Sequence, residues 1–128
     1  MRVLLDTNVF LWILAEDPRL SGAARETFLD EKNDLAFSMA GIWEIFIKCG
    51  TGKLLLDEDP ARFLRKHLDE NGISLLPILF EHTAKLLELP YHHRDPFDRL
   101  IIAQALHEKI PVLSSDPIFQ EYGVRNLF

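Results

Sequence analysis

The chain has a single cysteine, no excess of positive charge and no hydrophobic run long enough to cross a bilayer. Cys49 cannot pair within the chain, and its apolar helical surroundings suit a buried, inert thiol, so a reducing intracellular compartment is the simpler expectation. The apolar residues 3–5 stop at Asp6, and residues 9–15 are too short to span a membrane, which points to a cytoplasmic protein with no membrane partner. The formal net charge is −6, so nucleic acid cannot be held by overall charge, and any such role rests on local cations and metal ions. Repeats, linkers and low-complexity segments are missing too, leaving one domain over residues 1–128. A hydrophobic content of 48% describes an ordinary folded chain. Such a chain buries roughly two thirds of the surface it exposes when unfolded.

Phosphate-cradling glycine loops are absent. Gly50-Thr51-Gly52-Lys53 resembles part of a P-loop, but Ile47 stands where the first glycine belongs and Leu54 follows the lysine. No Gly-x-Gly-x-x-Gly occurs. A haloacid-dehalogenase phosphatase would need a second aspartate two residues after Asp6, where this chain has Asn8.

What is present alternates. Residues 2–5 form an apolar run of the kind that fills a strand buried on both faces, and residues 7–15 read as a helix. Past Asp17-Pro18 come a helix over 21–31, a strand at 35–37 and a helix over 39–49 closed by Gly50-Thr51-Gly52. Pro60 opens a helix to residue 70, residues 73–76 form a strand, and residues 80–89 a further helix. After the polar loop Tyr91-His92-His93-Arg94, Asp95-Pro96 starts a helix to residue 109. Residues 111–114 are the next strand, Asp116-Pro117 begins a short helical turn, and residues 124–127 close the sheet's edge. Strands alternating with helices predict an α/β layer fold with a mostly parallel sheet, whose ligands sit outside the strands' carboxyl ends. Asp6 and Asp116 fall there.

Each acid also has a bland reading. Asp6 can cap the helix after it, Asp95-Pro96 and Asp116-Pro117 carry cap signatures, and Asp98 suits the dipole of a first helical turn. Glu44 has Lys48 at the favourable i,i+4 spacing, yet Ile42, Trp43, Ile45, Phe46 and Ile47 surround it, so its carboxylate is expected to be buried and to need a partner. Capping and metal binding are compatible. Two carboxylates 4 Å apart repel by about 4 kcal/mol at an effective dielectric of 20, so four converging acids require a cation. Oxygen ligands favour Mg²⁺ or Mn²⁺. No Cys-His cluster suggests zinc, and the pair His92-His93 reads as solvated loop.

Leu5-Asp6-Thr7-Asn8-Val9-Phe10-Leu11-Trp12, Ile42-Trp43-Glu44-Ile45, the segment His93-Arg94-Asp95-Pro96-Phe97-Asp98-Arg99-Leu100 and Ser114-Ser115-Asp116 together resemble the PIN-domain ribonucleases, and within them the VapC-type toxins of toxin-antitoxin pairs. The likeness spans nearly the whole chain. It implies a PIN-like three-layer fold and a Mg²⁺ or Mn²⁺ site formed by Asp6, Glu44, Asp98 and Asp116, with Asp6 and Asp98 the leading direct ligands. Asp95 would add charge, while Thr7 and Ser115 would hydrogen-bond a carboxylate or water. The implied reaction is metal-assisted hydrolysis of RNA to 5′-phosphate and 3′-hydroxyl ends, the cation acidifying the attacking water. The implied partners are a cognate antitoxin and a second copy of the chain.

Against an acidic surface, the cations available to grip RNA are Arg19, Lys48, Lys53, Arg62, Arg65, Lys66, Arg94 and Arg99, each of which could equally be a solvated charge. Residues 9–14 carry more apolar surface than one helix face needs for a core, which leaves some for a partner. The competing function is a catalytically silent PIN-like module that binds RNA or protein.

Overall fold

Val3, Leu4 and Leu5 are all fully buried because the strand they form is covered on both faces. In the computed structural model, which describes residues 1–128, β1 (Arg2–Leu5) lies between β2 (Asp34–Ser38) and β4 (Val112–Leu113), and β3 (Ser74–Leu76) is the edge beyond β2. All pairings are parallel, with Leu4 opposite Ala36 on one side and Val112 on the other. Seven helices accompany the sheet: α1 (Thr7–Ala15), α2 (Gly22–Leu29), α3 (Met39–Gly50), α4 (Pro60–Glu70), α5 (Phe80–Lys85), α6 (Pro96–Glu108) and α7 (Ile118–Glu121).

Alternation along β1 divides the interior into two cores. Val3 and Leu5 join Phe10, Ile13, Ala24, Phe37, Ile45, Leu64 and Leu68, so α1 to α4 cover that face. Leu4 and Ala36 join Leu100, Ile101, Ile102, Phe119 and Tyr122, placing α6 and α7 on the other. This is the expected three-layer arrangement, with a sheet that is parallel throughout. No helix is long and apolar enough to cross a membrane.

Two expectations are corrected and one at the sheet's edge stands. The helix drawn over 80–89 stops at Lys85, tightens into a 3-10 turn over Leu86–Glu88 and leaves Leu89 extended. The cause is Pro90, whose ring disfavours helical geometry in the residue before it. Residues 124–127 do close the sheet's edge, through a single parallel bridge from Asn126 to Val112 beside β4. Cys49 is half-buried rather than buried.

Arg99, expected to reach for phosphate, is only 5% exposed. Its guanidinium donates to the carbonyls of Pro90 (2.9 Å), Leu86 and Leu89 (3.4 Å each) and to the Tyr122 hydroxyl (3.3 Å). The Tyr122 hydroxyl also donates to Pro90 O at 2.8 Å and accepts from His93 N–H at 2.9 Å. Arg99 thus satisfies carbonyls that Pro90 strips from any helix, and it fixes the loop before α6.

Gly41 marks where α3 crosses the sheet. Phe37 stacks on Phe10 with centroids 4.0 Å apart, and a Cβ on Gly41 would overlap the Phe37 ring. Gly→Ala inside a helix ordinarily stabilises by about 0.5–1 kcal/mol. Here the sign is expected to reverse: overpacking makes Gly41→Ala less stable than wild type by about 1–3 kcal/mol in urea unfolding.

Candidate metal centre

β1 ends at Asp6, whose N–H donates to Leu113 O at 3.0 Å, so the side chain emerges between the carboxyl ends of β1 and β4. Asp6 is 4% exposed. Its Oδ1 caps α1 by accepting from Val9 N–H at 2.7 Å, and its Oδ2 accepts from Ser114 Oγ at 2.5 Å. Ser114 Oγ in turn accepts from Asp116 N–H at 3.0 Å, and Asp116 Oδ1 accepts from Ile118 N–H at the start of α7. One hydroxyl therefore joins the acids that follow β1 and β4.

The other pair arrives on helices. Glu44, buried on α3, accepts from Thr7 Oγ1 at 2.7 Å and from Lys48 Nζ at 2.9 Å, one on each carboxylate oxygen. Asp98 sits in the first turn of α6, and Asp95 caps that helix through Phe97 N–H (2.9 Å) and Asp98 N–H (3.0 Å). His93 Nε2 lies 2.7 Å from Asp98 Oδ2.

The ionisation of these groups reports their convergence. Burial pushes the Asp6 carboxyl up to about 6, the bonds from Ser114 and Val9 pull it down, and the charges of Asp98 and Asp116 raise it further. Burial also raises the pKa of Asp98; His93 lowers it, and Asp95 and Glu44 raise it. Every one of the four acids is thus within electrostatic reach of another, and the ligand atoms of His93, Asp98 and Asp116 lie within 4.8 Å of one another.

The PIN domain profile matches residues 3–124. The chain belongs to the PIN-domain family. Among solved structures, those similar to it in fold include VapBC2 from Rickettsia felis bound to a DNA fragment from their promoter, at 18% identity and TM-score 0.74 over 98% of this chain and 97% of that one. FitAcB from Neisseria gonorrhoeae follows at 21% identity and TM-score 0.68, covering 98% and 96%. The PIN domain endonuclease Utp24 aligns at 16% identity and TM-score 0.53, covering 94% and 75%. No curated protein sequence matches the chain.

The PIN residues fit a hard divalent cation. Their donor set is dominated by carboxylate oxygens, and a cation would offset both the burial that lifts Asp6 and Asp98 and the smaller repulsion from their acidic neighbours. A second group, His82, His107 and Glu108, does not fit as well. His82 Nδ1 accepts from Leu79 N–H at 3.0 Å, so Nε2 carries the ring proton and faces Glu108 as a donor, not a ligand.

Two expectations shift at the site. Ser114, not Ser115, bonds Asp6; Ser115 makes no side-chain hydrogen bond. Strand parity explains this, because Ser114 directly follows β4 beside Asp6. His93, read as solvated loop, touches Asp98, and its place five residues earlier carries no periodic signal. Of the candidate cations, Lys48 reaches the site through Glu44, and Arg94 lies in the adjoining loop. Arg19 is bound by Asp17 past the opposite end of α1, and Lys53, Arg62, Arg65 and Lys66 are exposed without ties to the acids.

Because the folded protein holds its Asp6 proton more tightly than the unfolded chain, metal-free stability falls as pH rises from near 4 to about 6. The shift from 3.8 to about 6 corresponds to about 3 kcal/mol. Urea midpoints in EDTA across that range should decline for wild type, and Asp6→Asn should flatten much of the decline.

Proposed function

We propose that the protein is a metal-dependent endoribonuclease that hydrolyses RNA phosphodiester bonds to 5′-phosphate and 3′-hydroxyl ends, and that it is the VapC-type toxin of a toxin-antitoxin pair. The observation that supports this reading lies at the carboxyl end of a PIN sheet, where Ser114 joins the buried Asp6 to Asp116, and Asp98, within reach of the charge of Glu44, offers a ligand atom within 4.8 Å of those of Asp116 and His93. Mg²⁺ or Mn²⁺ bound there would supply positive charge for the phosphoryl oxygens and a water acidified towards neutral pH.

The chain's own groups do the positioning. Asp6 and Asp98 are assigned as direct ligands, Asp6 aimed by Ser114 and Val9 N–H, Asp98 by His93. Glu44 and Asp116 complete the acidic set. Lys48 offsets one oxygen of Glu44, and Thr7 holds the other. Asp95 caps α6 and adds negative charge beside Asp98. No side-chain nucleophile is needed, since water attacks opposite the leaving 3′-oxygen.

The partner reading has support of its own. The similar structures from Rickettsia felis and Salmonella typhimurium are VapBC complexes. On this chain Leu11, Leu14 and Ala15 of α1 face Leu54, Leu55, Leu56 and Phe63 across a wholly apolar depression of about 230 Å³. An amphipathic segment of a cognate antitoxin is the assigned occupant, with a homodimer as the toxin's state and the cytoplasm as its location.

Thermal unfolding with EDTA and with Mn²⁺ tests the centre without a known RNA. At about 100 times Kd, Mn²⁺ should raise the wild-type midpoint by on the order of 10 °C. Asp6→Asn and Asp98→Asn should lose that rise, melt higher than wild type in EDTA and abolish Mn²⁺-dependent RNA cleavage. Variants that simply melt lower, with metal inert, would make the acids helix caps and the protein a silent binding module.

A further inference from the structure

The loop leading into α6 holds an aromatic ring in a cationic setting that the metal centre does not use. Tyr91 is 80% exposed, and the Arg99 guanidinium carbon lies 4.0 Å from its ring centroid, covering one face. That guanidinium cannot swing away, because its hydrogen bonds to Pro90, Leu86, Leu89 and Tyr122 fix it in place. All these acceptors are neutral and Arg99 makes no ion pair, so its charge stays uncompensated behind the ring. Tyr91 and Arg99 line a depression of about 490 Å³ together with Leu86, Leu87, Arg94 and Pro96. Arg94 is exposed and also without an ion pair, and no carboxylate lines this hollow, on a chain whose net charge is −6.

We infer that this depression is a subsite for one unpaired nucleotide of the RNA substrate, its base stacked on the open face of Tyr91 and its phosphate held by Arg94. The inference rests on the nuclease reading. Continuity with the centre is covalent and short: His93, two residues after Tyr91, contacts Asp98, and Arg99 is the next residue on α6. A ring backed by a fixed cation offers a π-face, and base–aromatic stacking tolerates any base. A paired base cannot open its face to the ring. The subsite therefore selects single-stranded over duplex RNA rather than a particular sequence.

The test uses the full chain in EDTA with a fluorescein-labelled pool of random 12-nucleotide single-stranded RNA, against duplex RNA of the same length. Wild type should prefer the single strand. Tyr91→Ala should weaken that binding on the order of tenfold and lose the preference, while Tyr91→Phe and Tyr91→Trp keep both. Pools carrying 5-iodouridine should crosslink to the peptide containing Tyr91, a readout indifferent to any loss of stability in the alanine variant. Equal binding by Tyr91→Ala, crosslinks elsewhere, or failure of wild type to bind overturns the subsite. Altered sedimentation with unchanged RNA affinity does so too, and makes the patch a protein contact. Mn²⁺-dependent RNA cleavage by wild type is scored separately: if it persists, the nuclease reading survives the loss of the subsite.

Discussion

Burying Asp6 costs solvation energy that hydrogen bonds from Val9 N–H and Ser114 recover only in part, and its carboxyl stays at about 6 for that reason. The residue stands at the carboxyl end of the central strand, beside the end of β4. Asp116 and Asp98 add repulsion to the burial. A fold optimised for stability alone would place an uncharged cap there. The strain is local and confined to the edge where the strands end.

The surrounding structure reads as a response to that charge. Thr7 and Lys48 take one oxygen each of Glu44, and His93 meets Asp98, so no carboxylate of the helical pair lacks a polar partner. Arg99 is a cation of a different kind. It serves backbone carbonyls around Pro90 and ties the loop to Tyr122 on the far core, which holds His93 in front of Asp98. The rigidity of the centre therefore depends on a buried guanidinium that contributes no hydrogen bond to the acids themselves.

Legibility followed the range of the physical signal. The apolar run at residues 2–5 and the cap at Asp95-Pro96 are local patterns, and both elements stand where the pattern puts them. Glu44 was readable as a buried acid because its neighbours are apolar, and its partner Lys48 because the i,i+4 spacing is helical geometry. The truncated α5 could have been anticipated from Pro90. Ser114 carried a weaker signal, the parity of a strand only two residues long. Arg99 looked like a phosphate ligand because nothing local distinguishes a buried arginine from an exposed one beside an acid.

The amino-acid sequence by itself determined the order of strands and helices, the parallel α/β class and the identities of the acids, since each is written in periodicity, capping and residue type over a few positions. Tertiary structure alone decided that Asp6 and Asp116, 110 residues apart, share one serine, that His93 joins the centre, and that Arg99 turns inward beneath Tyr91. Those facts depend on which strand ends lie side by side and on which carbonyls a proline leaves unpaired. Neither is a property of any short stretch of chain.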